Sequence, residues 1–344
     1  MPESLPSTSA TTTPTPQASP PPAKTHILIT GASSGIGRAF FEHFSSFPPT
    51  THYVRGVDAR PFPTNPKIST CAVGACGHYA QIDLTAEALV QKFVRGATVP
   101  GAAARSRASS SSSSASPSPI QTHHHHHHHH QPGQPSLTPP ANSNNHNSGS
   151  GSDNEPPYAA PFTLVIHSAG IRGLVPSIAA ATPADVGAAE TIAAMDAATM
   201  RRTYEVNAVA TFTLIKALLP SLLLAARTRP PTAAAAQRPP TVVVMSSRMG
   251  SVAGNAAGGA YAYRASKAAL NAVVRSFSVD VPEVLFALVH PGRVETGLVR
   301  TREEGAVEVQ ESVEDMLALI GRLGTEEGLR SGCFVDRWGK EIPW

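Results

Sequence analysis

The sequence predicts an α/β fold, a doubly wound parallel sheet of about seven strands in one domain, on three observations. Short β-rich runs alternate with longer helical patterns over the foldable part of the chain. A glycine-rich turn links the first strand to the first helix, and the second strand ends on an acid. In such sheets ligands bind at the carboxyl ends of the strands.

Strands are expected at 26–30, 52–57, 78–83, 162–167, 241–246, 284–290 and 332–335. Between them helices are expected near 36–46, 86–95, 198–226, 261–279 and 312–323. Two segments do not fit this alternation. A Ser/Thr/Pro tail covers 1–24, and the stretch 97–160 carries the serines of 109–114, a histidine run from His123 to His130 and an Asn/Ser/Gly tract around 142–152. Neither has an apolar period with which to build a core, so both are expected to be disordered. The remaining chain, about 250 residues, suits one domain over 25–344 with 97–160 as an insert.

Composition narrows the function. Of 344 residues, Lys and Arg number 27 and Asp and Glu 24, a net charge of +3 without a basic block, so nucleic acid is not an expected partner. The cysteines, Cys71, Cys76 and Cys333, are odd in number and sparse, as thiols in a reducing compartment would be. Residues 1–23 hold no Lys, Arg or apolar run, which argues against a secretory or transit signal. The apolar stretch 214–226 is broken by Lys216 and Pro220 and falls short of the about 18 residues a bilayer span needs. A cytoplasmic protein with no membrane partner is the expectation. The histidine run has no Cys or carboxylate at ligand spacing, and the spacing of Cys71, Cys76 and His78 is not that of a zinc knuckle, so no metal site is expected.

The first turn reads Thr30-Gly31-Ala32-Ser33-Ser34-Gly35-Ile36-Gly37. Glycines there let the backbone turn tightly and approach a pyrophosphate, whose charge meets the amides of the helix N-terminus. Asp58 follows about twenty residues beyond Gly37, where a carboxylate accepts from ribose hydroxyls and repels a 2′-phosphate. With Ser34 where a basic side chain could have met that phosphate, the loop favours NAD over NADP, although Arg38 and Arg60 stand near.

These residues resemble the short-chain dehydrogenases/reductases. Further motifs of that family occur in order: Asp83-Leu84-Thr85, Ser168-Ala169-Gly170, Asn207, Ser246-Ser247, Tyr263-Arg264-Ala265-Ser266-Lys267 and Pro291-Gly292-Arg293-Val294-Glu295-Thr296. The ending Gly339-Lys340-Glu341-Ile342-Pro343-Trp344 is similar to that of the C-factor-like, carbonyl-reductase-like branch. The resemblance implies a Rossmann-type fold, an NAD or NADP cofactor, a small carbonyl or alcohol substrate and a homo-oligomer. It places the cofactor on Gly31, Ser33, Ser34, Gly35, Ile36, Gly37, Asp58, Asp83, Leu84, Ser168, Ala169, Gly170, Tyr263, Lys267, Pro291, Gly292, Val294 and Thr296. One departure is His167-Ser168-Ala169-Gly170, where the family has Asn-Asn-Ala-Gly.

Tyr263 and Lys267 stand at i and i+4 of a helix and share a face. A nearby ammonium favours a phenolate, which makes Tyr263 the candidate general acid/base. Tyr261 lies off that face. By resemblance Lys267 also holds the nicotinamide ribose, Ser247 the substrate oxygen, and Asn207 a water in a proton relay. The substrate pocket is expected along 171–175, along 293–305 and beside the C-terminal tail, with Leu174, Leu298 and Val299 as an apolar wall, or with Arg293 and Arg300 meeting an anion. The competing reading is a catalytically silent dinucleotide-binding signalling or scaffold protein on the same fold.

Overall fold

The computed structural model describes residues 24–63, 76–96, 161–228, 238–298, 305–325 and 328–344. Residues 1–23 of the expected tail, the 97–160 insert with its histidine run, Cys71, Val299 and Arg300 lie outside the described residues.

The strands are β1 (Thr25–Thr30), β2 (His52–Asp58), β3 (Gly77–Gln81), β4 (Leu164–His167), β5 (Thr241–Met245), β6 (Leu285–His290) and β7 (Cys333–Asp336). They form one seven-stranded sheet in the order β3-β2-β1-β4-β5-β6-β7, and every pairing is parallel. The order reverses between β1 and β4, and a crevice opens at such a switch point. Register places Ile29 of β1 between Gly56 of β2 and Ile166 of β4.

Helices cover both faces: α1 (Gly35–Ser45), α2 (Glu87–Gly96), α3 (Pro176–Ala181), α4 (Ala197–Tyr204), α5 (Ala210–Arg227), α6 (Tyr261–Asp280) and α7 (Val309–Ile320). Alternate strand residues feed two separate cores, because successive side chains of a strand point to opposite faces. Leu28, Val242, Val244 and Leu288 pack with Leu214, Leu218, Leu222, Leu270 and Val274 of α5 and α6. On the other face Ile27, Ile29, Val243 and Val289 pack with Phe40, Phe41 and Phe44 of α1 and Val313, Met316 and Leu319 of α7. Burial on both sides explains why the central strands β1, β4, β5 and β6 read as nearly continuous apolar runs, whereas the edge strand β3 (Gly77-His78-Tyr79-Ala80-Gln81) has no buried residue.

Two sequence expectations change. The short helix α3 had no clear periodic signal and was not expected. More importantly, α4, a π-helical turn (Glu205–Val209) and α5 run on from Ala197 to Arg227 as the one helix expected near 198–226, but that helix is long and apolar enough by length and composition to cross a membrane. The expectation that no such segment exists counted only the 214–226 run. Leu214, Ile215, Leu218 and Leu222 of this helix are fully buried against the sheet, which accounts for much of its apolarity.

Leu218→Ala is expected to cost about 2–5 kcal/mol in urea unfolding, through lost transfer energy and the cavity left behind. Val279→Ala on exposed α6 surface, at 64% exposure, changes stability by no more than about 0.5 kcal/mol. A loss below about 1 kcal/mol at Leu218 contradicts the packing described.

Candidate active site

The cleft at the switch point has a volume of about 910 Å³, at the upper end of small-molecule sites. Its floor is the glycine turn. Gly31 has φ +69°, and a Cβ on it would stand 2.9 Å from the Ala169 backbone nitrogen; one on Gly37 would stand 2.3 Å from the Gly31 carbonyl oxygen. No side chain fits either place. Helix α1 opens directly above with Ser34 as N-cap, whose side chain accepts from none of the helix amides, and with no acid in its first turn. Its first amides are therefore available to an anion, as a pyrophosphate cradle requires.

Asp58 ends β2 beside this turn. Its Oδ2 accepts from the Ser33 hydroxyl (2.6 Å) and amide (3.2 Å), and its Oδ1 accepts from the Arg60 amide (3.2 Å). Ser33 thus holds the carboxylate in place. Arg60 swings back to donate from Nη2 to Ser34 Oγ at 2.5 Å, and its Nε stays 3.9 Å from Asp58.

On the opposite wall Tyr263 and Lys267 share the buried face of α6, at 6% and 5% exposure, while Tyr261 is 39% exposed. Lys267 Nζ donates to the Met245 carbonyl oxygen (2.8 Å), and burial lowers its pKa to about 8. Burial pushes the Tyr263 phenol up; the Arg172 guanidinium and a hydrogen bond with Ser247 pull it down. The phenol thus stands above its ordinary value, against the expected lowering; the cation that pulls it down is Arg172, which sequence reasoning did not consider, rather than Lys267, and the Glu190 charge pushes it further up. Ser247 also accepts from the Met249 amide (3.2 Å), so it caps the turn after β5 as well as meeting Tyr263.

Asn207 sits in the π-helical turn, a distortion that concentrates at functional sites. Its Nδ2 donates to the Ile171 carbonyl (2.9 Å) and Ser266 Oγ (3.0 Å), and its Oδ1 accepts from the Ile171 amide (2.8 Å). The amide clamps the loop after β4 to α6. A Cβ on Gly170 would lie 3.1 Å from Asn207 Oδ1 and 3.7 Å from Lys267 Nζ, so both atoms face the bare backbone of that loop.

The departure at His167 has a physical account. Thr30 Oγ1 accepts from the Ser168 and Ala169 amides (both 3.2 Å), so its own proton goes to His167 Nδ1 (2.9 Å). Nε2 is then the protonated nitrogen and donates to Thr211 Oγ1 (2.8 Å), which donates in turn to the Asn207 carbonyl (3.0 Å). This chain needs a neutral imidazole, and burial with the Lys267 charge pushes the His167 pKa down to about 3.

Of the expected site residues, Gly31, Ser34, Gly35, Ile36, Asp58, Asp83, Leu84, Ser168, Ala169, Gly170, Tyr263, Lys267, Pro291 and Thr296 line the cleft. Ser33, Gly37, Asn207, Ser247, Gly292 and Val294 are not among its lining residues; the first four support it through the contacts above. In the expected pocket, Ile171, Arg172, Gly173, Leu174 and Leu298 line it, and Arg293 does not. The C-terminal tail does not line it either: Ile342 is buried in the core, the Trp344 ring packs on Phe334, and the Trp344 carbonyl accepts from the Ala253 amide (2.9 Å). Sequence reasoning missed Thr199, Arg202, Thr203 and Val206, which present one side of the α4 segment to the cleft. Their helical spacing was legible; the direction of that side was not.

A family model for short chain dehydrogenase matches residues 162–306. The C-signal protein of Myxococcus xanthus is 38% identical over 186 residues, which span 54% of this chain and 93% of that protein. This chain belongs to the short-chain dehydrogenase family. A 1-hydroxy-2-glutathionyl-2-methyl-3-butene dehydrogenase of Rhodococcus sp. (strain AD45) is 29% identical over 157 residues, 44% of this chain and 62% of that one. Two solved structures share the fold. The carbonyl reductase Sniffer of D. melanogaster has TM-score 0.60 and the NADPH-bound carbonyl reductase from chicken fatty liver 0.62; each is 22% identical, with 94% of this chain and all of theirs covered. As a short-chain dehydrogenase the chain is an oxidoreductase of the nicotinamide-dependent type. The glycine cradle, the uncapped α1 terminus and Asp58 fit such a dinucleotide.

His167 binds its proton far below an unfolded histidine, which titrates near 6.5. Stability carried by the neutral ring is complete above pH 6.5 and lost as pH falls toward 3, by about 3 kcal/mol at pH 4. Thermal melting from pH 8 to pH 4 should fall more steeply for wild type than for His167→Asn; parallel curves contradict this.

Proposed function

We propose that this chain transfers hydride between a nicotinamide cofactor and a small carbonyl or alcohol, with Tyr263 as general acid/base. The observation that carries it is the burial of Tyr263 and Lys267 side by side on one face of α6, both lining the cleft that begins at the glycine turn. When bound, the cofactor supplies or accepts the hydride. Ser247 orients the substrate oxygen, and Tyr263 donates the proton to it in reduction and takes it back in oxidation. Lys267, with a pKa of about 8, stays protonated at neutral pH and can return a proton toward Tyr263. Asn207 Oδ1, facing the same strip of backbone as Lys267 Nζ, suits a water-borne continuation of that route.

NAD is the preferred cofactor on this reading, because Ser33 holds the Asp58 carboxylate at the cleft wall, where a 2′-phosphate would meet negative charge. A second reading has one support: the C-signal relative, whose printed name is that of a signal. It predicts dinucleotide binding without turnover.

Steady-state oxidation of NADH and NADPH over a panel of aldehydes and ketones separates the two. Tyr263→Phe is expected to lower kcat by at least about 100-fold while leaving cofactor affinity within about threefold. A wild type that binds cofactor and turns over nothing favours the signalling reading. Asp58→Ala is expected to improve kcat/KM for NADPH relative to NADH by about tenfold or more, through loss of charge repulsion. An unchanged ratio removes Asp58 as the discriminator.

A further inference from the structure

Taking the chain as the dehydrogenase proposed above, the geometry points to Arg172 as the anchor for an anionic group on the substrate. The cleft then takes an oxo acid, a carbonyl compound whose carboxylate sits one or two carbons from the reacting carbon.

Arg172 lies two residues past Gly170, on the loop leaving β4, and lines the cleft together with Tyr263 and Leu174. Its guanidinium carbon stands 5.1 Å from the centre of the Tyr263 ring, so the charge is stacked on the residue that handles the proton. Its direction is set from behind. Nε donates to both oxygens of Glu190, at 3.1 and 3.0 Å, and the Glu190 side chain is only 7% exposed. The Glu190 carbonyl in turn accepts from the Ala260 amide (3.1 Å), tying the pair to the start of α6, the helix that carries Tyr263.

Arg–carboxylate pairs are frequently bidentate, with two parallel N–H bonds to one carboxylate. Here the carboxylate takes Nε alone. The four N–H groups on Nη1 and Nη2 make no hydrogen bond to any described residue, and the side chain keeps 17% exposure on a cleft wall. That fork is the group that matches a carboxylate bidentately. The acids that share the cleft are committed elsewhere: Asp58 to Ser33 and the Arg60 amide, Asp83 to Thr85, Asp196 to the Thr199 amide. Lys267 Nζ lies 5.7 Å from the same Tyr263 ring, so two cations flank the reacting end. A substrate whose oxygen meets Tyr263 lies on the same cleft wall as the Arg172 fork, so a carboxylate close to the reacting carbon is the group placed to meet it. The gain is the usual one for a charged hydrogen-bonded pair in a partly buried site, about 10- to 100-fold in affinity.

The test uses the full chain with cofactor. Turnover of 2-oxobutanoate and 3-oxobutanoate is measured against the methyl ester of each, for wild type, Arg172→Gln, Arg172→Lys and the double variant Arg172→Gln/Glu190→Gln. The double variant avoids leaving a buried Glu190 charge unpaired, and circular dichroism checks that each variant folds. In parallel, calorimetry measures binding of malonate, a carboxylate probe that cannot be reduced.

Wild type is expected to prefer the acid to its ester by at least tenfold in kcat/KM. Both Gln variants lose that preference, through a rise in KM for the acid at least tenfold larger than any change shared by acid and ester, and Arg172→Lys recovers part. Malonate binds wild type and not the Gln variants. Equal losses on acid and ester, with a shifted pH profile, assign Arg172 to tuning Tyr263 and overturn the anchor. An ester used as well as the acid, or malonate binding unaffected by Arg172, also overturns it. If wild type turns over nothing, the dehydrogenase reading fails separately, and malonate binding still decides whether Arg172 holds an anion.

Discussion

The hydroxyl of Thr30 joins the two strand ends between which the cleft opens. It receives the Ser168 and Ala169 amides from the end of β4 and gives its proton to His167, so β1 and β4 are locked at the switch point of the sheet. Gly31, one residue on, can pass beneath that junction only because it lacks a Cβ. The glycine turn, the start of α1 and the loop leading to Arg172 all take their positions from this contact.

From the same junction a one-directional chain of hydrogen bonds runs through His167 and Thr211 to the backbone of Asn207, in the π-helical turn. Each hydroxyl in it has one proton to give, so the imidazole tautomer follows from counting donors and acceptors. Asn207 then clamps the loop after β4 to α6 with its side chain. The floor of the cleft and its α6 wall are thereby connected through buried polar groups with their partners in place, which specify one arrangement more sharply than apolar packing does. A histidine in this position is a working substitute, provided that it remains neutral.

The electrostatics around Tyr263 oppose one another. Burial disfavours the phenolate, while Arg172 and Ser247 favour it, and Lys267 is itself brought down by burial. A bound nicotinamide adds a charge to whichever side the oxidation state dictates. The chain contributes the positioned groups: a phenol held on a helix face, a lysine one turn further along that face, and a guanidinium over the phenol ring.

Much of this was legible in the residues. Continuous apolar runs mark strands buried on both faces, and all seven appear with ends shifted by no more than about two residues. The glycine turn, Asp58 and the Tyr263–Lys267 pair were readable because each depends on local geometry: a turn with no room for side chains, an acid at a strand end, two positions one helical turn apart. The Arg172–Glu190 pair, the hydrogen-bond partners of His167 and the α4 wall of the cleft were not. Glu190 meets Arg172 across the short helix α3 and a 3-10 turn, and Thr211 meets His167 from a different layer of the fold. Periodicity gives each element its face, but only packing against the sheet decides which polar groups those faces bring together, because the partners lie far apart in the chain.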